Sequence, residues 1–118
     1  MLDGVWILQQ AIPGDRPWAD LAWGPVAGQK LRVTGGEWDL EFEGGTHHGE
    51  VRRDPSGETP ETDVLCLSGR WSGQVLPALA TRDGDRLVVC AAPPGEPRPT
   101  SFAPRTGSAE FRLEFGPA

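Results

Sequence analysis

Glycine and proline recur at short intervals along the whole chain, and this spacing restricts which secondary structure can form. The 118 residues include 16 glycines and 12 prolines, and no stretch free of both is longer than eight residues. An average helix needs more than eight residues, whereas an average strand needs only about five or six. We therefore expect an all-β fold with turns at short, regular intervals.

Hydrophobic alternation supports this expectation. In "EWDLEFE", the apolar residues Trp38, Leu40 and Phe42 alternate with acidic residues, and "QKLRVT" and "AEFRLEF" show the same pattern. Successive side chains of a strand point to opposite faces, so each segment has one apolar face and one polar face. This pattern is typical of antiparallel sheets that contact water on one side.

The alternating segments and the turns between them predict about eight antiparallel strands in one domain, residues 1–118. Glycine pairs at 35–36 and 44–45, and "RDGD" at 82–85, indicate hairpins. Sequential strands joined in this way can close into an up-and-down barrel, with an open sandwich as the alternative. The predicted strands are Leu2–Ile12, Gln29–Thr34, Glu37–Glu43, Thr46–Arg53, Glu61–Ser68, Trp71–Ala80, Asp85–Ala92 and Ser108–Phe115.

One segment, "GDRPWADLAWG", departs from the strand pattern. Asp15 is a candidate N-cap, Pro17 lies near the first turn, and the apolar residues that follow have helical spacing. We expect one short helical turn that carries Trp18 and Trp23 to an end of the barrel. This turn either completes the core as a plug or forms a lid over a ligand.

The chain is acidic, with a net charge of −6 at pH 7 and a pI near 4.8. Because a basic patch is the footprint of nucleic-acid and anionic-membrane binding, we expect neither partner, while a protein partner stays open. The sequence shows neither an N-terminal signal nor an apolar run of membrane-spanning length, which favours a cytoplasmic location. No motif indicates a cofactor.

Several short motifs, in order along the chain, resemble a family of small, uncharacterised lipocalin-like domains abundant in planctomycetes. The chain opens with the Gly-x-Trp spacing of lipocalin-like barrels, and "GD-x-L-x-x-C" is followed by a Gly- and Pro-containing loop and "RPT-x-F". One departure is "ALA" at 78–80, where the family has Gly-Ile-Tyr. The resemblance implies a lipocalin-like (calycin) barrel and no particular activity. The matching residues are Gly4, Trp6, Pro60, Asp63, Gly84, Asp85, Leu87, Cys90, Arg98, Pro99, Thr100 and Phe102.

Lipocalin-like barrels often stack an arginine on the tryptophan of the opening Gly-x-Trp, which the resemblance places at Trp6. Arg98, Arg105 and Arg112 are the arginines near the C-terminal end, and the sequence does not choose among them. The proline-rich stretch that contains Arg98 is interpreted as a stiff connection between the seventh and eighth strands, crossing one end of the barrel.

The two histidines, His47 and His48, are neighbours, so on a regular strand they face opposite sides and do not jointly bind a metal. No metal site is predicted. If Val51 points inward, alternation places Gly49 and His47 inward as well. An inward imidazole is a weak candidate for a catalytic base or a hydrogen-bonding anchor, with a hydrated histidine near the strand end as the alternative.

Cys66 and Cys90 fall on the predicted fifth and seventh strands. Two strand spacings amount to roughly 9–10 Å, which exceeds the limit of about 7 Å between the Cα atoms of a disulfide. We therefore predict free thiols.

The leading functional hypothesis is a barrel that binds a small hydrophobic or amphipathic molecule in an aromatic-lined cavity, because about eight strands leave room for one small ligand. A small enzyme of secondary metabolism, a cyclase or isomerase, is the second hypothesis, since positioning alone can accelerate such reactions. A protein-interaction module that uses the acidic face and the proline-rich loop is the third. The predicted ligand-binding residues are Trp38, Phe42, His47 and Trp71, with Trp18 and Trp23 at the mouth.

Overall fold

The protein is an eight-stranded antiparallel barrel in which every strand pairs with its neighbours in sequence and β8 pairs with β1. This computed structural model describes residues 2–12, 28–42, 45–53, 60–69, 71–105 and 107–118. The closure confirms the all-β barrel and excludes the open sandwich. The strands are β1 (Gly4–Ile12), β2 (Lys30–Thr34), β3 (Glu37–Phe42), β4 (Gly45–Arg53), β5 (Glu61–Cys66), β6 (Val75–Asp83), β7 (Arg86–Ala91) and β8 (Phe111–Pro117).

The described ranges contain no helix, and none of them therefore holds a helix that is long and apolar enough to span a bilayer. The predicted helical turn falls within residues 13–27, outside the described residues, together with Trp18 and Trp23.

Two predicted hairpins are present at the expected places. Gly35 and Gly36 both have positive φ angles, 59° and 85°, as a two-residue turn between twisted strands requires. Gly84, with φ of 62°, opens the turn between β6 and β7. Of the third predicted turn, only Gly45 lies within the described residues, as the first residue of β4.

Two predicted strands are displaced. The sixth strand was expected to begin at Trp71, but it begins at Val75 and continues to Asp83. The eighth was expected from Ser108, but it runs from Phe111 to Pro117. In both places a turn held by backbone hydrogen bonds replaces the predicted strand start, since Gln74 N–H donates to Trp71 O and Ser108 N–H donates to Arg105 O.

The inward-facing side chains form one hydrophobic core, while the outward-facing acidic residues of β3 are exposed, as the alternation predicted. Burying such apolar surface contributes about 25 cal/mol per Å² and is the main force that closes the barrel. The core comprises Leu2, Trp6, Leu8, Leu31, Val33, Leu40, Cys66, Leu76, Ala78, Ala80, Leu87, Ala91, Phe111, Leu113 and Phe115.

The described residues between β7 and β8, 92–105 and 107–110, form a connecting segment that packs against the outer face of the barrel around Arg98. The Arg98 guanidinium donates from Nη1 to the carbonyl oxygens of Thr62 and Ala78, both at 2.8 Å. Its Nη2 lies 2.5 Å from Oδ1 of Asp63, which points outward from β5. One arginine thereby joins the connecting segment to two paired strands, β5 and β6. The expectation that this segment crosses one end of the barrel is corrected at Arg98, which binds the side of the barrel.

The second half of the connecting segment is held by Glu110, which is almost completely buried. Its carboxylate accepts the backbone N–H of Arg105 at 2.9 Å and the Nε–H of the same residue at 2.8 Å. Arg112 on β8 donates from Nη1 to Phe102 O at 2.9 Å. Because a buried carboxylate is costly unless its oxygens are hydrogen-bonded, these bonds make the burial of Glu110 tolerable.

The wall that this segment covers is buried on both sides. Val88 and Cys90 alternate with inward residues of β7 and therefore point outward, yet both are buried, and so are Leu79 on β6 and Ala92. A second, smaller apolar layer thus lies outside the barrel.

Candidate functional site

The interior of the barrel contains an apolar cavity with a volume of about 100 Å³. Inward side chains of β2 to β8 form its wall, together with Leu2 and the turn that follows β5. The described lining residues are Leu2, Leu31, Val33, Trp38, Leu40, His47, Val51, Thr62, Val64, Cys66, Ser68, Gly69, Trp71, Leu76, Ala80, Leu87, Val89, Ala91, Phe111, Leu113 and Phe115.

Three of the predicted site residues, Trp38, His47 and Trp71, line this one cavity. Phe42 is the last residue of β3, and its side chain lies outside the described part of the structure. The predicted inward direction of His47, Gly49 and Val51 is correct, because His47 and Val51 line the cavity and Gly49 is buried.

Trp71 reaches the cavity from a turn, although the sequence placed it on a strand. Its ring stacks on Phe111, with 6.4 Å between the ring centroids and 20° between the planes. Phe111 is the first residue of β8 and is almost completely buried. Such a stacked pair is favourable by about 0.5–1.5 kcal/mol beyond the area that it buries. The stack fixes the turn of residues 71–74 over the end of the barrel where β5 leads into β6.

Trp38 lies on its cross-strand partner Gly49. A Cβ atom at Gly49 would lie 2.7 Å from the indole Nε1 and 1.9 Å from the carbonyl oxygen of Leu65, so only glycine fits at this position. The indole nitrogen is buried and has no hydrogen-bond partner among the described residues. The indole therefore fills the space that a side chain of Gly49 would take, on the inner face of β4.

His47 lies where the cavity wall meets solvent. Four of the partly or fully exposed lining residues lie at the end of the barrel where β5 leads into β6, and we call them the rim: His47, Ser68, Gly69 and Trp71. The imidazole is close to Gly69, since a Cβ atom there would lie 2.7 Å from His47 Cε1. Burial lowers the pKa of His47, and the neighbouring His48 lowers it further. The neutral form of His47 therefore predominates at pH 7.

The other polar groups of the wall are neutral or bonded within the protein. Thr62 Oγ1 donates to Pro60 O at 3.1 Å, and Ser68 Oγ accepts the backbone N–H of His48 at 3.0 Å. Burial raises the pKa of the Cys66 thiol to about 11, so the thiol is protonated at neutral pH. Among the described lining residues, none carries a formal charge at pH 7.

Both cysteines are free, as predicted, and they lie on opposite sides of the wall. Cys66 lines the cavity, whereas Cys90 points outward beneath the connecting segment. Burial and the nearby Glu110 carboxylate raise the pKa of Cys90 to about 11, against the opposing effect of Arg112 and Arg105. Within the described ranges, no three His, Cys, Asp or Glu side chains come together as a metal site would require.

The opposite end of the barrel is closed around Trp6. Its Nε1–H donates to Leu2 O at 3.1 Å, and the guanidinium carbon of Arg82 lies 4.9 Å from the ring centroid. Arg82 Nη1 also donates to Asp3 O at 3.2 Å. The arginine that stacks on Trp6 is therefore Arg82 and none of the three considered from the sequence, because the β6–β7 hairpin brings the end of β6 beside the start of β1.

Sequence reasoning missed most of the wall contributed by β5, β6 and β7, including Thr62, Cys66, Ala80 and Val89. On β6 and β7 the alternation signal is weak because the outward neighbours Leu79, Val88 and Cys90 are also apolar and buried. On β5 the outward Glu61 and Asp63 mark the polar face, so the alternation itself indicates that Thr62 and Cys66 face inward. The run "LVVCAA" has no polar residues to show which side faces the cavity.

No known family model matches the chain, and comparisons with curated proteins and with solved structures found no significant match.

Proposed function

We propose that this protein is a lipocalin-like barrel that binds a small hydrophobic or amphipathic molecule in its central cavity. The cavity itself carries this proposal. It has an almost wholly apolar wall, and two of its lining side chains, Trp38 and Trp71, are indoles. A dry apolar cavity of about 150 Å³ binds benzene, and a space of about 100 Å³ is smaller, so it suits a compound no larger than a single ring.

The lipocalin-like assignment within this proposal is supported at the closed end of the barrel. Trp6 of the opening Gly-x-Trp is hydrogen-bonded to the chain start and covered by an arginine, Arg82. The strand order is the up-and-down order of such barrels, with β8 returning to β1.

Filling the cavity tests this function. Ala80 lines the cavity and is buried, so Ala80→Leu places three additional carbon atoms inside it. We expect at least a tenfold loss of affinity for small aromatic compounds, measured by quenching of tryptophan fluorescence or by calorimetry. Thermal stability should be unchanged or raised, because filling a cavity commonly stabilises by about 0.5–2 kcal/mol.

The matched control is Thr81→Leu, which adds a leucine to the next residue of β6, on the outer face. This variant should bind as the wild type does. Two results would refute the proposal: no compound of a neutral aromatic panel binds the wild-type protein, or Ala80→Leu binds every one of them with unchanged affinity.

A further inference from the structure

Trp38 lines the cavity at a deeper level than the rim. Its cross-strand partners are Gly49 on β4 and Val33 on β2, and Val33 also pairs with Gly4 at the start of β1. The start of the chain closes this end of the barrel around Trp6. The indole of Trp38 therefore limits the cavity towards the closed end, away from the rim.

The indole cannot move aside towards β4. Its Nε1 and Cε2 atoms lie 2.7 and 2.8 Å from the place that a Cβ atom of Gly49 would take, so the ring already fills the space that this glycine leaves. On the other side of the cavity, Leu87 and Phe115 are 1% and 2% exposed. Because close-packed side chains do not give way without strain, a ligand too long for the present space meets the indole of Trp38.

Packing alone holds the Trp38 side chain in this position. Its indole nitrogen is buried, and no acceptor for it lies in the part of the chain that the structure describes. A buried donor without an acceptor destabilises the folded state, so a hydrocarbon side chain at this position removes that cost and breaks no side-chain hydrogen bond. Trp38→Leu therefore enlarges the cavity at one defined place.

We infer that Trp38 sets the ligand size of the cavity: the indole restricts binding to compounds with one ring, and a shorter side chain at this position admits a second ring. The inference rests on the proposed ligand-binding function and narrows it. The free energy gained by burying a ligand grows with its apolar area, so naphthalene should bind more tightly than benzene wherever both fit. A preference for benzene therefore reports steric exclusion by the wall.

The experiment measures the dissociation constants of benzene and naphthalene by calorimetry. Both are uncharged hydrocarbons without a head group, so charges near the rim have little effect on the comparison. We expect the wild-type protein to bind benzene about tenfold more tightly than naphthalene. In Trp38→Leu we expect naphthalene to bind at least as tightly as benzene, and the ratio in Trp38→Phe, which keeps one ring, should lie between the two.

Trp71→Leu is the matched control, because it makes the same substitution in the other indole of the cavity, at the rim. It removes the stack on Phe111 and part of the wall, so it should weaken the binding of both compounds. Their ratio should change by less than about threefold, since the depth of the cavity at Trp38 is unaltered.

The outcomes distinguish the inference from the proposed function. If the wild type binds naphthalene more tightly than benzene, the inference is wrong and the binding function stands. If Trp38→Leu leaves the ratio unchanged, or Trp71→Leu shifts it as far, the size limit does not belong to Trp38. If neither compound binds the wild type, the binding function fails and the inference fails with it. Because the wild-type comparison needs no variant, a folding defect in Trp38→Leu does not leave the inference untested.

Discussion

Removing the guanidinium of Arg98 is the sharpest test of how the outer segment is attached to the barrel. Arg98→Met keeps most of the apolar stem and deletes both hydrogen bonds to the Thr62 and Ala78 carbonyls, together with the ion pair to Asp63. Asp63→Asn is the matched control, because it deletes the charge of the ion pair and leaves the two carbonyl bonds in place.

The expected loss follows from the exposure of each group. The Arg98 side chain is 30% exposed and that of Asp63 is 45% exposed, so the ion pair is screened and contributes about 0.5 kcal/mol. The two carbonyl bonds are charge-assisted and partly buried, and contribute about 1 kcal/mol each. We therefore expect Arg98→Met to lower the free energy of unfolding by about 2–3 kcal/mol, and Asp63→Asn by about 0.5 kcal/mol. At about 4 °C per kcal/mol for a domain of this size, the melting temperatures should fall by roughly 8–12 °C and 2 °C.

Cys90 reports whether the segment opens locally. It is fully buried under the segment, so a thiol reagent reaches it only when the segment lifts or the protein unfolds. In a Cys66→Ala background, which leaves one thiol, Arg98→Met should increase the labelling rate by about 30- to 150-fold, the population change that corresponds to 2–3 kcal/mol. Asp63→Asn should change it about twofold.

Equal effects of Arg98→Met and Asp63→Asn on melting and labelling would refute the reasoning, because the carbonyl bonds would then contribute nothing. A lower melting temperature in Arg98→Met without faster labelling of Cys90 would refute the claim that Arg98 holds the segment.

Two further predictions concern the closed end and the thiols. Arg82→Met should lower the free energy of unfolding by about 1–2 kcal/mol in a urea titration, because it removes a cation–π contact and two exposed hydrogen bonds. The exposed control Arg32→Met should lower it by less than about 0.5 kcal/mol, and equal losses would contradict the contact with Trp6. The folded-state pKa values of both thiols are about 11, against a usual value of 9.0, so the thiols ionise more readily in the unfolded chain. The free energy of unfolding should therefore be unaffected below pH 9 and should fall between pH 9 and pH 11, by roughly 2–3 kcal/mol per thiol. Urea titrations across that range should show a shallower fall in the Cys66→Ala/Cys90→Ala variant, and parallel curves would exclude the thiols as the cause.

The parts of the fold that the sequence predicted well are those with water on one side. In β2, β3 and β4 the outward residues are mostly polar, so the alternation identifies both the strand and its inward face. The inward positions of Trp38 and His47 follow directly from this alternation. The starts of β6 and β8 were placed too early, at Trp71 and Ser108, because a turn precedes each strand. Gln74 N–H donates to Trp71 O and Ser108 N–H donates to Arg105 O, and residue spacing alone does not distinguish such a turn from the start of a strand.

Contacts across the barrel depend on register, which the sequence does not contain. Arg82 reaches Trp6 although 76 positions separate them, because closure of the sheet and the stagger of its strands bring two chain ends together. Trp71 was assigned to the site for a mistaken reason, as an inward strand residue, and reaches the cavity through a turn that stacks it on Phe111. Thr62 and Cys66 were not predicted, although Glu61 and Asp63 in "ETDVLC" mark the outward parity of β5 and leave Thr62, Val64 and Cys66 facing inward.

The cavity and the outer segment are linked through the same strand. An enclosed cavity of about 100 Å³ costs roughly 2 kcal/mol, at about 24 cal/mol per Å³, and this is an upper limit for a cavity whose rim contacts solvent. A wall free to move inward would remove part of that cost by collapse. Thr62 shows why β5 is not free to move: its side chain lines the cavity, while its carbonyl oxygen accepts a hydrogen bond from Arg98. The connecting segment thus holds β5 from outside, and the free energy of the Arg98 contacts is similar to the cost of the cavity. The prolines of the segment limit the conformational entropy that is lost when the segment becomes ordered. An open interior is therefore compatible with a stable small barrel.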